Sequence, residues 1–326
     1  MEFDLIEIFR RHCAVARGDV RLGIGDDAAI VAPPANHELA ICTDTLVAGV
    51  HFPAGTSASD LGWKALAVNL SDLAAMGATP AWGLVALTLP EPAREFVAAF
   101  AEGFGALAAQ HHLALVGGDT TRGPLSVTVT VHGFVPAGRA LRRDGARAGD
   151  LVFATGTLGD AAAGLRCADR ADARAAGLFN APADTREFLL ARLQRPTPRV
   201  AAGLSLRDAA SAAIDVSDGL LADLGHVASA SGVGMLLEAR ELPSSSALLA
   251  LFDGPERLLL QATGGDDYEL AFTAPPARAD AVQQDLARIG CGATRIGRVV
   301  EGEGVRLLDE GGRDIALRRR GWDHFA

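Results

Sequence analysis

Residues 211–232, SAAIDVSDGLLADLGHVASASG, read as a strand, a tight turn and a helix in that order. The apolar run ends at Asp215. Ser217 is a good helix N-cap, and Asp218 then falls in the first turn, where the helix dipole favours an anion. Around this unit the second half begins with a strand, LVFATG (151–156), and a helix start at TLGDAAAGL. Residues 170–184 are Ala- and Asp-rich, an exposed helix or loop, and RPTPR (195–199) breaks the chain before another helix. DDYELAFTA (266–274) reads as a strand, 278–289 as a helix, and two short strands follow near 296–308. The first half has the same grammar. ELAICTDTLV (38–47), GLVALTL (83–89) and LALVGGDT (113–120) are strands, and 58–78 and 92–112 are helical by periodicity. LSVTVTVHGFV (125–135) alternates with period two, a strand with one polar face. Strands alternating with helices in both halves imply α+β or α/β domains, and the turn-rich stretch 136–150 is the candidate boundary.

The 326 residues favour two domains over one. Apolar residues make up 49% and charged residues 21%, enough to bury a core and too little charge for disorder. The net charge is -10 and the one basic block is Arg318–Arg320, so a nucleic-acid footprint is not expected. Cys13, Cys42, Cys167 and Cys291 are far apart, which excludes a CxxC zinc cluster and a disulfide framework. MEFDLIEIFRRH reads as an amphipathic helix and not as a signal peptide, and no apolar run reaches the roughly 20 residues a membrane helix needs. A reducing, cytoplasmic setting without membrane contact is the expectation.

Acids recur at the ends of the apolar runs. Asp26-Asp27 lies in GIGDDAA, Asp44 in CTDTLVAGVHF, Asp72 in NLSDLAAMGA, Asp119 in GGDTTRG, Asp215 and Asp218 in the turn already described, and Asp266-Asp267 in GGDDYEL. Carboxylates at strand ends beside glycines are hard oxygen ligands suited to Mg²⁺, and several in one chain suggest a multi-metal phosphate-transfer centre. Each has a plainer alternative. GIGDDAA is an acidic turn or, less well, a dinucleotide loop. Asp72, within an apolar helix one turn from Asn69, either faces solvent, caps a break, or binds metal to offset its burial. Asp215, Ser217 and Asp218 are capping residues or ligands, and the glycines before Asp119 let a backbone approach a bound group. With Lys64 the chain's only lysine and no GxxxxGK[ST], a Walker A site is excluded, as are HExxH and GxSxG chemistries. His51 and Trp322 are packing residues or ligand contacts, Trp322 in the second case stacking on a ring.

Together GIGDDAA, TDTLVAGVHF, NLSDLAAMGATPAW, GGDTTRGP, HGFVPAGRALRRDGA, GDLVFATGTLGD, the IDVSDGL run, GGDDYEL and the terminal GWDHF resemble the thiamine-monophosphate kinase family, within the superfamily of aminoimidazole-ribotide synthetase. The resemblance covers essentially the whole chain. It implies an α+β fold of two domains, with 1–138 binding ATP and Mg²⁺ and pairing across a homodimer into a β-barrel. Residues 139–326 would form an α/β sandwich completing the nucleotide and substrate cleft. It implies ATP as co-substrate, several Mg²⁺, thiamine monophosphate as acceptor, and the last step of thiamine diphosphate biosynthesis. Carried over by position, Asp27, Cys42, Thr43, Asp44, Asp72, Asp119, Asp215 and Asp218 are metal ligands; Gly118, Asp119, Arg143 and Ser217 touch the nucleotide; and His51, Asp266 and Trp322 touch the acceptor. Asp44, Asp72, Asp119 and Arg143 act on the transferred phosphoryl group. A thiol is a poor Mg²⁺ ligand, so Cys42 would serve through its carbonyl or not at all, and Asp266 stands where the family commonly has Glu. The alternatives are another ATP-using enzyme of the superfamily and a non-catalytic nucleotide-binding regulator.

Overall fold

The structure, a computed structural model, describes residues 2–175 and 178–322. It divides the chain into two units, residues 1–73 with 78–138 and residues 74–77 with 139–326. The first carries α1 (Glu2–His12), β1 (Val20–Leu22), β2 (Ile30–Val31), β3 (His37–Val47), α2 (Ala58–Ala75), β4 (Thr79–Leu89), α3 (Arg94–Gln110), β5 (Ala114–Arg122) and β6 (Ser126–Pro136).

Four of these strands form a sheet in the order β3-β6-β4-β5, with only β4 and β5 parallel. Strand alternation explains the two faces. Val127, Val129 and Val131 of β6 and Val85 and Leu87 of β4 are buried on one face. The threonines between them lie on the other, where Thr43 and Thr130 hydroxyls meet at 2.9 Å and Thr45 and Thr128 at 2.8 Å. That second face also leaves Leu39 42% and Ile41 58% exposed. α2 is apolar almost all round and correspondingly buried, down to Lys64 at 1% exposure. α2 and α3 approach closely: a Cβ on Gly103 would lie 1.9 Å from the Ser59 carbonyl oxygen.

The second unit holds β7 (Leu151–Thr155), α4 (Asp160–Ala168), α5 (Arg170–Ala175), α6 (Ala183–Gln194), α7 (Val200–Leu206), β8 (Ala212–Asp215), α8 (Leu220–Ser231), β9 (Gly234–Glu238), α9 (Ser246–Leu251), α10 (Gly254–Thr263), β10 (Leu270–Ala274), α11 (Ala279–Arg288), β11 (Ala293–Val300) and β12 (Gly304–Leu308). Its six strands run β12-β9-β11-β7-β10-β8, antiparallel except for β12 with β9. The core lies where Leu220, Leu224 and Val227 of α8 meet Val152, Ile214, Met235, Leu237 and Ile296 of the sheet. A smaller cluster joins α4, α6 and α9 through Ala163, Leu189 and Leu248. This is the α+β architecture expected, and no described helix is long and apolar enough to cross a membrane.

Two local expectations change. The N-cap of α8 is Gly219, with no side-chain cap, so Ser217 and Asp218 precede the helix. The strand expected from Asp266 begins at Leu270, because Asp266 (φ 69°) and Tyr268 (φ 50°) are left-handed and cannot continue a β ladder.

Candidate active site

In the first unit the sheet register places the predicted residues in rows. Asp44 pairs with Val129, Val129 with Val85, and Val85 with Gly118. The neighbouring row is Thr45, Thr128, Ala86 and Asp119. Adjacent rows turn their side chains to opposite faces, so Asp44 and Asp119 stand three strands apart on different faces. Gly118 must be glycine, since a Cβ there would sit 1.9 Å from the Val85 carbonyl oxygen. Cys42 shares the face of Asp44, and its thiol donates to the Asn69 carbonyl of α2 at 3.4 Å. That contact ties together the two elements carrying Asp44 and Asp72, because Asp72 is one helical turn beyond Asn69. Thr43 faces the other way and donates its hydroxyl to the Val129 carbonyl at 3.1 Å. His51 folds back on the end of β3, its Nδ1 accepting from the Val47 N–H at 3.0 Å. Asp27 is exposed in its turn, and its N–H donates to Asp26 Oδ1 at 2.8 Å.

Asp44 is the group in this unit that most needs a cation. Burial raises its pKa, and among the described residues no hydrogen bond or neighbouring charge opposes the shift. Asn69 has a related deficit: among the described residues nothing donates to its buried Oδ1. No three His, Cys, Asp or Glu side chains among the described residues are grouped so as to hold a metal by themselves. Mg²⁺ does not require such a cage, because one or two carboxylates with water and phosphate oxygens complete its shell. A desolvated, uncompensated carboxylate fits that use.

In the second unit, five predicted residues come together. Asp215 ends β8, and the turn 216–219 that follows is stitched to two distant segments. The Asp266 N–H donates to the Ser217 carbonyl at 2.8 Å, and the Tyr268 N–H to the Val216 carbonyl at 2.9 Å. Gly265 permits this approach, as a Cβ there would lie 2.5 Å from the Ser217 oxygen. The Tyr268 hydroxyl donates to Asp266 Oδ1 at 3.0 Å and fixes that carboxylate. The Trp322 N–H donates to the Asp218 carbonyl at 2.9 Å, while its side chain is 54% exposed. Arg143 is placed elsewhere. Its carbonyl accepts from Ser231 Oγ at 2.9 Å, at the far end of α8, roughly 17 Å from the turn at 1.5 Å rise per residue.

Three further acids hold this arrangement: Asp267, the second acid of GGDDYEL, and Asp223 and Glu269, which the sequence did not single out. Asp223 Oδ2 accepts from the N–H groups of Ser217, Asp218 and Gly219 at 3.1, 3.2 and 3.0 Å. Burial first, then the charge of Asp215, pushes its pKa up to about 8. Asp267 is fully buried at the start of α4, accepting from Gly159 N–H at 2.6 Å and Ala161 N–H at 3.2 Å, and burial pushes it up to about 8 as well. Glu269 accepts from Arg199 twice at 2.6 Å, from Arg192 at 2.8 Å and from Thr155 at 2.7 Å. Burial alone would raise Glu269, but the Arg199 hydrogen bonds and the two guanidinium charges bring it below the ordinary glutamate value. The signal for Asp223 was present, an acid at the fourth residue of the true helix, but it depended on where α8 begins.

Residues 25–135 match the AIR synthase related protein N-terminal domain and residues 147–310 its C-terminal domain. The chain is 45% identical to the thiamine-monophosphate kinase of Salmonella typhimurium over 326 residues, covering 100% of this chain and 98% of that one. It is 36% identical to the Bacillus subtilis thiamine-monophosphate kinase, over 99% of each. Among solved structures, thiamine-monophosphate kinase from Stenotrophomonas maltophilia superposes with a TM-score of 0.87 at 50% identity, over 96% of this chain and 98% of that one. AaThiL complexed with AMPPCP and TMP superposes with a TM-score of 0.78 at 32% identity, over 99% and 97%. With both halves matched in order and identity spread over the full length, the chain belongs to the thiamine-monophosphate kinase family of AIR synthase related proteins.

Proposed function

We propose that the protein transfers the γ-phosphoryl group of ATP to thiamine monophosphate, giving thiamine diphosphate and ADP. The observation that carries the reading is the stitched turn, where Ser217, Asp218, Asp266 and Trp322 are joined by backbone hydrogen bonds of 2.8–2.9 Å. Residues assigned to nucleotide, cation and acceptor are thereby brought within one small cluster. The likeness to AaThiL, complexed with AMPPCP and TMP, supports the same pair of ligands here.

The acceptor oxygen belongs to a phosphate whose second pKa is ~6, so near neutral pH it is already a nucleophile and needs no general base. The obstacle is charge, since two polyanions must meet in line. Mg²⁺, when bound, would supply the positive charge that neutralises the phosphate oxygens. This chain's part would be to hold the metal ions, through the carboxylates of Asp27, Asp44, Asp72, Asp119, Asp215 and Asp218. Cys42 and Thr43 immediately precede Asp44, and with their side chains engaged at Asn69 and Val129 they contribute through main-chain oxygen. Gly118 and Ser217 contact the nucleotide, and Arg143, anchored at the far end of α8, contacts a different part of it. His51 and Asp266 orient the acceptor, and Trp322 offers an exposed ring to its planar cation. The threonine-lined face with Leu39 and Ile41 exposed suits pairing with a second copy into a barrel, and the setting is cytoplasmic.

The test is ADP release by the purified protein with ATP, Mg²⁺ and thiamine monophosphate, run beside aminoimidazole precursors. Turnover with thiamine monophosphate alone is expected. Turnover with a ribotide precursor alone, or nucleotide binding with no turnover, would replace this reading with another superfamily activity or a binding role.

A further inference from the structure

The turn between β8 and α8 has every peptide group engaged by the protein. The Val216 N–H donates to the Glu269 carbonyl at 2.8 Å, and the Val216, Ser217 and Asp218 carbonyls accept from Tyr268, Asp266 and Trp322. The N–H groups of Ser217, Asp218 and Gly219 all converge on one oxygen of Asp223, which is 3% exposed. Successive N–H groups leading into a helix are ordinarily a ready anion site. Here that site is filled from within by a carboxylate from the first turn of α8. The turn's backbone is thus closed to a ligand, and the parts of it assigned to cation and nucleotide are the side chains of Asp215, Ser217 and Asp218.

We propose that Asp223 is a positioning residue: by gathering three N–H groups it fixes the turn so that Asp215 and Asp218 meet a magnesium–nucleotide through their carboxylates, and it denies phosphate a direct hold on the turn's backbone. The assignment rests on the reading of this turn as part of a magnesium–nucleotide site. Its chemistry is separable from the identity of the acceptor. A supporting carboxylate of this kind acts through the geometry of the residues it orders, and removing one typically costs 10–100-fold in metal affinity.

The experiment is calorimetric titration of the full chain with AMPPCP over a range of Mg²⁺ concentrations, with a melting curve on each preparation. In Asp223→Ala the Mg²⁺ needed for half-maximal AMPPCP binding should rise ~10-fold or more. Asp223→Asn should stay close to the wild type, because its amide oxygen can accept the same three N–H groups. Should Asp223→Ala not fold, Asp223→Ser, polar but too short to span the three donors, is held to the same rise. An unchanged Mg²⁺ requirement in a folded Ala or Ser variant overturns the proposal. So does an Asn variant as impaired as Ala, which would make the charge itself, and not the ordering of the turn, the contribution. A wild-type protein that binds magnesium–AMPPCP and leaves thiamine monophosphate unphosphorylated would remove the proposed acceptor and leave the role of Asp223 to the Mg²⁺ titration.

Discussion

Burial raises the Asp44 pKa and nothing among the described residues offsets it, so the ionised side chain is a cost to the metal-free fold. The sign follows from linkage: a carboxylate whose folded pKa lies above its unfolded 3.8 loses stability as pH rises through that interval. Asp44→Asn should therefore melt higher than wild type at pH 7 without Mg²⁺, while kcat falls ~100-fold or more, as when preorganised electrostatic groups are removed elsewhere. Asp72→Asn should lose turnover to a similar degree. Near-normal kcat in both at saturating Mg²⁺ would dismiss them as cation ligands. Trp322 separates binding from chemistry. On the proposed reading its exposed ring stacks on the acceptor's planar cation, away from the acceptor's phosphate, so stacking is the same before and during transfer and shows in KM, not kcat. Trp322→Ala should raise the KM for thiamine monophosphate ~10-fold, from ~1–2 kcal/mol of cation–π attraction, and leave the KM for ATP and the melting temperature in place. A lowered melting temperature with both KM values disturbed would mark it as a packing residue. At this scale sequence reading reached its limit in GGDDYEL. Asp266 and Asp267 are adjacent and chemically identical, yet Asp267 goes inward because Gly159 and Ala161, more than 100 residues away, present their N–H groups to it.

Helices and strands were legible where burial imposes a period. β6 alternates because one face packs on apolar side chains and the other carries threonines, and α2 is apolar almost all round because most of it is buried. The start of α8 was misplaced by two residues because Ser217 satisfies capping preferences locally, whereas Asp223 takes the same N–H groups from farther along. The late start of β10 was hidden for a similar reason, since nothing in Tyr268 announces a left-handed backbone held by Val216. Element packing also makes a quantitative claim at Gly103. Alanine there would favour an isolated helix by ~1 kcal/mol. Its Cβ would collide with Ser59 backbone at 1.9 Å, and overpacking costs typically 1–3 kcal/mol. Gly103→Ala should lower the urea midpoint of unfolding; an unchanged or raised midpoint would mean the two helices can part without penalty.

Across the whole molecule, buried acids of opposite tendency shape the response to pH. Asp267 holds a proton in the folded chain up to about 8, whereas the unfolded chain releases it above 3.8. Its stabilisation is full below 3.8 and is lost as pH rises through about 8, at up to ~1.4 kcal/mol per pH unit. Glu269 works the other way: held below 4.5 by Arg199 and Arg192, it supports the fold above that value and fails as acid titrates it. Metal-free protein should thus be most heat-stable in mild acid and melt progressively lower toward pH 8, and Asp267→Asn should flatten that decline. An equally steep decline in Asp267→Asn would place its origin in other groups. The burial of Lys64 has a use of its own. It is the sequence's only ε-amine and is sealed inside α2. An acylating reagent offered to the folded protein has the terminal α-amine to react with, and gains a second target only when that helix opens. The second mass increment then appears at the rate of opening, so one lysine serves as a chemical clock, slowed by any ligand that keeps the first unit closed.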